Sequence, residues 1–461
     1  MKSSTVIAVN RFGLGARPGD LALVDNDPRR WLLDQLSGPS HPPPSVANLP
    51  AAADVLVDVQ DLRRAQRRAQ RAGEDFAERY GRNVRRLYID QALARYQAAA
   101  STDTPFHERL VHFWANHFAV SADKQPLPAI AGLYENEAIR PHVTGRFDDL
   151  LIAAVSHPAM ILYLDNQRSI GPNSFLGIRA NRRRSDQSYG LNENLAREIL
   201  ELHTLGVDGG YTQQDVTTFA KVITGWSIGG STDAGRFADG EPGRFHFREA
   251  IHEPGEHRVL GKRYRQHGVE QGEAVLRDLA AHPSTARHVA TKLARHFVAD
   301  EPPSALVDRL SAVVLDSGGD LGRVYAALVD SPEAFVTSNA KYKTPHDLVV
   351  SAFRAFHHEP DDGRTVVGAL DIMGQVPWRP GSPAGWPDTA EQWGGADALY
   401  KRIEWSDTVA RVAGGRVNPV DLGDAVLGPA LTNRTRTAVA RAESTTQGLA
   451  LLLASPDFQR R

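Results

Sequence analysis

The sequence predicts a mainly α fold, a multi-helical globular protein with a small β-hairpin insertion. Three observations predict it. Apolar residues recur at helical spacing along most of the chain, most clearly in 191–205, where Leu191, Leu195, Ile199, Leu202 and Leu205 share one face at 100° per residue. A Ser or His followed by Pro recurs at Ser156-His157-Pro158, His282-Pro283, Ser331-Pro332 and Ser455-Pro456. Each such Pro suits the first turn of a new helix, so this is a repeated helical corner. Only 226–268 is Gly-rich with short alternating runs, such as Arg244-Phe245-His246-Phe247 and Arg258-Val259-Leu260, the pattern of one or two hairpins.

Taken in order, Gly13, Gly15 and Gly19 form a tight loop, with no Gly-Lys-Ser/Thr to make it a phosphate cradle. Asp27-Pro28 caps a helix to about Leu36, and 38–50 is a Pro- and Ser-rich linker. Residues 52–98 form one or two long helices, with breaks expected at Gly73 and Gly81, and their arginines (Arg63, Arg64, Arg67, Arg68, Arg71) make a solvated face. Thr104-Pro105 opens a helix with Phe106, Leu110, Phe113 and Trp114 on its apolar face and His117 among them. Helices follow near 127–138, 144–156 and 158–164. The polar, basic stretch 167–190, with Arg179, Arg182, Arg183 and Arg184, is expected to be a long loop, a mobile lid or disordered.

Gly206 stops the helix after 205, and Thr212 with Asp215 forms a capping box for the next one. Beyond the β region, Ser284 is expected to cap a helix to about Val298. Further helices are expected near 304–315, 320–330, 345–357, 396–412 and 436–454, with a Pro/Gly loop bearing Trp378, Trp386 and Trp393 among them. The expected organisation is an N-terminal helical region (1–100) with a Pro-rich linker, a central helical core carrying the site (101–225), the β insertion (226–268) and a C-terminal helical region (269–461).

Composition narrows the functions. The 461 residues carry a net charge of −2, so no general affinity for nucleic acid follows. With no cysteine, thiolate sites and cysteine nucleophiles are excluded, and any metal must take His and carboxylate ligands. No apolar run could span a bilayer. The N-terminus has no apolar stretch of signal-peptide length, so a cytoplasmic location is the expectation.

Glu198 falls inside the apolar stripe of 191–205, with Asn194 and Glu201 along its edge. A carboxylate buried there needs a cation, a metal or several donors. His117 is one candidate partner, and Lys292 and Arg295 are the others. The sequence His252-Glu253-Pro254-Gly255-Glu256-His257 lacks the helical spacing of a zinc protease motif, because Pro and Gly break it.

The chain resembles, over nearly its whole length, a bacterial family catalogued as domain of unknown function 1800. The likeness rests on Glu108-Arg109, Phe113-Trp114 and Asn116-His117-Phe118, and most strongly on Asn192-Glu193-Asn194, Ala196-Arg197-Glu198 and 201–206. It continues through Gly210-Tyr211-Thr212, Asp215-Val216, Thr224-Gly225-Trp226, His252, Leu260-Gly261, 341–345 and Gly385-Trp386. The resemblance implies a mostly helical bacterial protein and brings no activity. Many relatives look exported, which this chain's N-terminus does not match.

Two functions fit the residues. One is an enzyme with a buried His/carboxylate site for metal-assisted hydrolysis or oxidation. Its catalytic residues would be Glu198, Glu201 and His203. Its metal ligands would be His117, Glu198, Glu201 and His252, around a divalent ion such as Zn, Mn or Fe. Asn194, Arg197, Trp386 and Lys292 would bind the substrate. A metal-free version would use Glu198 and Glu201 as a carboxylate pair. The other is a non-catalytic helical scaffold, or a protein binding a small molecule, glycan or partner. In that case Glu198 and Glu201 pair with Arg197, Lys292 or Arg295, and the tryptophan loop meets the ligand.

Overall fold

Helical periodicity carries through to the computed structural model, which describes residues 1–36, 41–72, 77–182, 190–230, 239–337 and 341–461. Among these residues there are 24 α-helices and two antiparallel two-stranded sheets. One cluster of buried apolar side chains runs from Val6 to Phe458 and draws on every part of the chain. None of the described helices is long and apolar enough to cross a membrane.

Five helices build the site and are numbered here in chain order: α1 (Ala77–Ser101), α2 (Pro105–His117), α3 (Asn194–Glu198), α4 (Pro283–Phe297) and α5 (Pro345–Ala355). Helix α2 runs through the centre. Its residues from Pro105 to Trp114 are all buried, including Glu108 and Arg109. A Phe cluster holds α2 against α4. Phe12 stacks on Phe297 (5.3 Å between centroids) and Phe335 (5.5 Å) and meets Phe106 edge-on at 5.5 Å.

The β region holds both sheets. Strand β1 (Trp226–Ile228) pairs with β2 (Phe245–Phe247), with Trp226 opposite Phe247. Strand β3 (His257–Val259) pairs with β4 (Lys262–Tyr264) through a two-residue turn. Both turn residues, Leu260 (φ 48°) and Gly261 (φ 76°), are left-handed, the backbone of a type I′ hairpin. Asp215 holds this turn by accepting from Leu260 N (2.7 Å), while its other oxygen closes the capping box with Thr212.

Several expectations are corrected. Gly81 does not break its helix but lies inside α1, where no neighbour penalises or requires it; Gly73 lies outside the described residues. The stretch 167–190 is not all loop, because Phe175–Arg182 is helical and carries Arg179 and Arg182; Arg183 and Arg184 lie outside the described residues. The cap of α4 is His282, not Ser284: its ring Nδ1 accepts from Ser284 N at 3.1 Å. His157 caps the helix Pro158–Tyr163 in the same way, so imidazole serves as the cap at two of the Pro corners. The expected 436–454 helix is two, Asn433–Ala440 and Thr445–Ala454, each with its own side-chain cap, Thr432 and Ser444. The helices Val269–Ala280, Gly363–Ile372 and Pro419–Leu427 complete the C-terminal half.

Phe12 is fully buried and touches three rings, so Phe12→Ala is expected to lower stability by about 3–5 kcal/mol through lost transfer energy and a cavity. Chemical denaturation of wild type and variant measures it; a loss under about 1 kcal/mol would show that the cluster does not hold α2 against α4.

Candidate functional site

The helix on which the sequence is patterned is short and changes type midway. Helix α3 spans only Asn194–Glu198 and continues as a π-helical turn, Ile199–His203. A π-turn inserts an extra residue per turn, so the buried face shifts to Leu195-Ala196, Ile199-Leu200 and His203-Thr204. Glu198, Glu201 and Leu202 rotate to the half-buried flank. Glu198 is therefore not fully buried, and it closes no ion pair among the described residues. Burial and the neighbouring Glu201 raise its pKa, opposed by Arg197. Arg197 itself pairs with Glu193 (2.9 Å), and Glu201 accepts a long hydrogen bond from Tyr211 (3.5 Å). Asn194 is exposed. His252 lies in the β region, where its Nδ1 donates to Thr224 O (2.8 Å). Neither Lys292 nor Arg295 meets Glu198.

The expected ligand set His117, Glu198, Glu201 and His252 is thus not assembled. Among the described residues, no group of three or more His, Cys, Asp or Glu is placed to hold a metal ion. The charges acting on His117 are those of Lys292, His288 and His203, with no carboxylate among them.

What the structure does assemble is a cleft of about 440 Å³ between α1, α2, α4, α5 and the loop that carries Trp386. Three of the predicted residues line it: His117, Lys292 and Trp386. His288, Lys292 and His296 recur every fourth residue on α4 and so share one face. His203 lies behind the cleft, fully buried, its ring 6.1 Å from that of His117.

The histidine tautomers follow from their partners. The π-turn leaves the carbonyls of Leu202 and His203 to be satisfied from outside, as helix ends do. His288 Nε2 donates to Leu202 O (3.0 Å) and His117 Nε2 donates to His203 O (3.1 Å). Each ring therefore keeps its proton on Nε2 and a lone pair on Nδ1. His296 Nδ1 meets Asp388 Oδ2 at 2.6 Å. Burial first, then the charge of Lys292, pushes His288 down to about 4 and His117 well below the usual value, so both rings are neutral.

Lys292 is half-buried in the cleft with no hydrogen bond or ion pair among the described residues. Burial and Arg295 push its pKa down to about 8, although Asp388 pulls the other way. The acids of the cleft are already committed. Asp347 holds Arg109 (2.9 Å) and Arg461 (3.2 Å), and Asp388 holds His296 and Arg461. The unspent charge is positive.

A second set of groups reaches the cleft from the opposite wall. Tyr96 Oη lies 2.6 Å from His346 Nδ1, and His346 Nε2 lies 3.0 Å from His112 Nδ1. His112 Nε2 faces Glu108 Oε1 at 3.4 Å, long for a hydrogen bond, so the contact is mainly electrostatic. Glu108 is held bidentate by Arg140 (2.6 and 2.7 Å). Burial would raise the Glu108 carboxyl, but Arg140 overcomes it and holds the group well below its usual range.

Sequence reasoning on single helices missed Tyr96, His346, Asp347 and Asp388. The available signal was His346-Asp347 directly after the 341–345 run, and the line of Glu108 and His112 on α2. With the geometry in place, comparison with known proteins adds the following. The family model described as protein of unknown function (DUF1800) matches residues 7–460. No curated protein and no solved structure matches the chain.

Glu198 gives a direct test of the revised placement. Its raised pKa means that ionisation costs the folded state; the cost is absent below the unfolded value near ~4.3 and fully present above the folded one. Glu198→Gln is expected to keep or raise Tm at neutral pH, and to lose that advantage as pH falls below about 4. Melting curves across pH read this out. A loss of about 3–5 kcal/mol at neutral pH would restore a buried ion pair.

Proposed function

We propose, for a chain that belongs to the family of proteins of unknown function DUF1800, that the histidine-lined cleft is an active site where a small anionic organic substrate undergoes proton transfer. The observation that carries this reading is Lys292. A half-buried ammonium with no hydrogen-bond or ion-pair partner among the described residues, beside Arg295 and committed acids, suits an anion supplied from outside. With its pKa pushed down to about 8, the amine exchanges its proton near neutral pH, which suits acid–base work. The neutral His288 supplies a fixed lone pair on Nδ1 one helical turn away.

Phe113, Pro387 and the ring of Trp386 give the cleft an apolar wall for the carbon skeleton. Asn116 anchors that wall: its Nδ2 donates to Trp386 O (2.9 Å) and its Oδ1 accepts from Trp386 N (2.7 Å). Among the described residues no three His or carboxylate donors converge, so nothing there supports the metal-assisted version of the reaction. Among the described residues Glu198 and Glu201 close no ion pair with Arg197, Lys292 or Arg295, which favours the enzyme reading over the scaffold.

Titration calorimetry with citrate tests the proposal. Wild type is expected to bind citrate, and Lys292→Met to bind it about tenfold to a hundredfold more weakly, the equivalent of one charge-assisted hydrogen bond of about 1.5–3 kcal/mol. The ammonium is present below its pKa and lost above it, so wild-type affinity is expected to fall as pH rises through about 8, and that of the variant to stay flat. Equal affinity in wild type and variant, or none in wild type, would overturn the reading.

A further inference from the structure

The charges of the cleft can be matched group by group. Its lining holds two carboxylates, Asp347 and Asp388, and four Arg or Lys side chains, Arg95, Arg109, Lys292 and Arg295. Asp347 is taken by Arg109 and Arg461, and Asp388 by His296 and Arg461. Arg95 pairs with Glu135 at 3.1 Å. Two cations are then left over. Neither Lys292 nor Arg295 closes an ion pair among the described residues. Arg295 makes one hydrogen bond, from Nε to Asp300 O at 3.1 Å. The Asp300 carboxylate goes elsewhere, to Lys341 and to Ala390 N (2.7 Å). Lys292 and Arg295 are both half-buried and both line the cleft, so a ligand in it can touch them.

The two stand three residues apart on α4 and are neighbours on its surface, where like charges repel. Outside the cleft the same helix avoids this: Arg287 pairs with Asp308 at 2.7 Å. The dipole of α4 favours Arg295, which lies in its last turn, but Lys292 precedes that turn. The dipole therefore answers one of the two charges at most. The histidines of the cleft report the same excess. In each ring burial is the largest cause of a lowered pKa, and a cation adds to it. Lys292 acts on His117 and His288, Arg295 on His288, Arg95 on His112 and His346, and Arg461 and Arg109 on His296.

We infer that Lys292 and Arg295 together form a site for a compact dianion, and that Arg295 is the residue that selects it over a monoanion. The shared chemistry is two negative charges on one small group: a phosphate monoester or two neighbouring carboxylates. This inference rests on the cleft being the binding site proposed above, and it narrows the substrate from anionic to doubly charged. The two cations have different parts. Arg295 is charged at every working pH and offers a planar fork of donors that matches an edge of phosphate or carboxylate. Lys292 adds the second charge while it is protonated. Phe113 and Trp386 line the same cleft, whose volume of about 440 Å³ limits the rest of the molecule to a small organic body.

Titration calorimetry of the full-length protein near pH 7, below the value of about 8 for Lys292, tests the inference. The probes are two pairs alike in shape and different by one charge: methyl phosphate against methyl sulfate, and succinate against succinamate. Wild type is expected to bind the doubly charged member of at least one pair about tenfold more tightly than its partner, the effect of one added charge-assisted hydrogen bond. Preference in the first pair alone identifies a phosphate monoester, in the second alone a dicarboxylate, and in both a dianion site open to either. Arg295→Gln is expected to bring the ratio close to one, and Arg295→Lys, which keeps the charge, to retain most of it. A side chain that only held the fold would weaken both members of a pair alike and leave the ratio unchanged. A wild type that binds citrate but treats the members of each pair alike overturns the inference and leaves the anion-binding cleft standing. A folded Arg295→Gln protein with the full ratio overturns the assignment to Arg295. If Arg295→Gln does not fold, the wild-type ratios still decide, together with Lys292→Met, which is expected to lower them and overturns the paired site if it does not. A cleft that binds neither citrate nor any of the four probes overturns the proposed function and this inference with it.

Discussion

The fold turns on two adjacent ions in a helix that sees almost no solvent. Glu108 and Arg109 are 1 % and 3 % exposed, and, being neighbours, they project to different sides of α2. Each must find its own partner. Glu108 takes Arg140, and Arg109 takes Asp347 at the start of α5 and the carbonyl of Gly13. Helix α2 is thereby fixed against the 131–142 segment on one side and α5 on the other, and the cleft opens along it. Buried pairs of this kind contribute little net stability against apolar substitutes, while removal of one partner costs several kcal/mol. Their effect is on register: α2 cannot rotate or slide without stranding a charge.

The same economy of charge shapes the cleft. Asp347 and Asp388 would each be costly alone at this depth, and each is surrounded by cations: Arg109 and Arg461 for one, His296, Lys341 and Arg461 for the other. Arg461 touches both, joining the end of the chain to α2 and to the tryptophan loop. The histidines stay neutral because burial and the neighbouring cations oppose a further positive charge. Lys292 has no hydrogen bond or ion pair among the described residues, and only the charge of Asp388 favours its protonated form.

Much of the fold was legible because it depends on local signals: helix periodicity, Pro at the first turn, the Thr212–Asp215 capping box and the alternation in 226–268. The errors have identifiable causes. The 191–205 stripe follows 100° per residue, and the π-turn at 199–203 breaks that spacing, which places Glu198 on the flank of the core. Imidazole caps at His157 and His282 are outside the usual set of capping side chains, so the sequence points to Ser284 where the structure uses His282. Of the site, the spacing of His288, Lys292 and His296 showed a shared face but not what that face meets. Tyr96, His112 and His346 belong to three helices, with His346 separated from His112 by 234 residues, and no periodicity links them.

The central helix still serves the cleft, through its backbone rather than its carboxylates. The π-turn ends with the carbonyls of Leu202 and His203 pointing out of the helix, and the two histidines that bond them come from α4 and α2. Gly206 follows at φ 86°, and a side chain there would meet His288 Nδ1 at 3.1 Å, so the turn must end in glycine for that ring to stay close. Each carbonyl takes the Nε2 proton of its histidine and leaves Nδ1 bare. As the last carbonyls of the helix they have no partner within it, so the end of this helix sets the tautomers of His288 and His117.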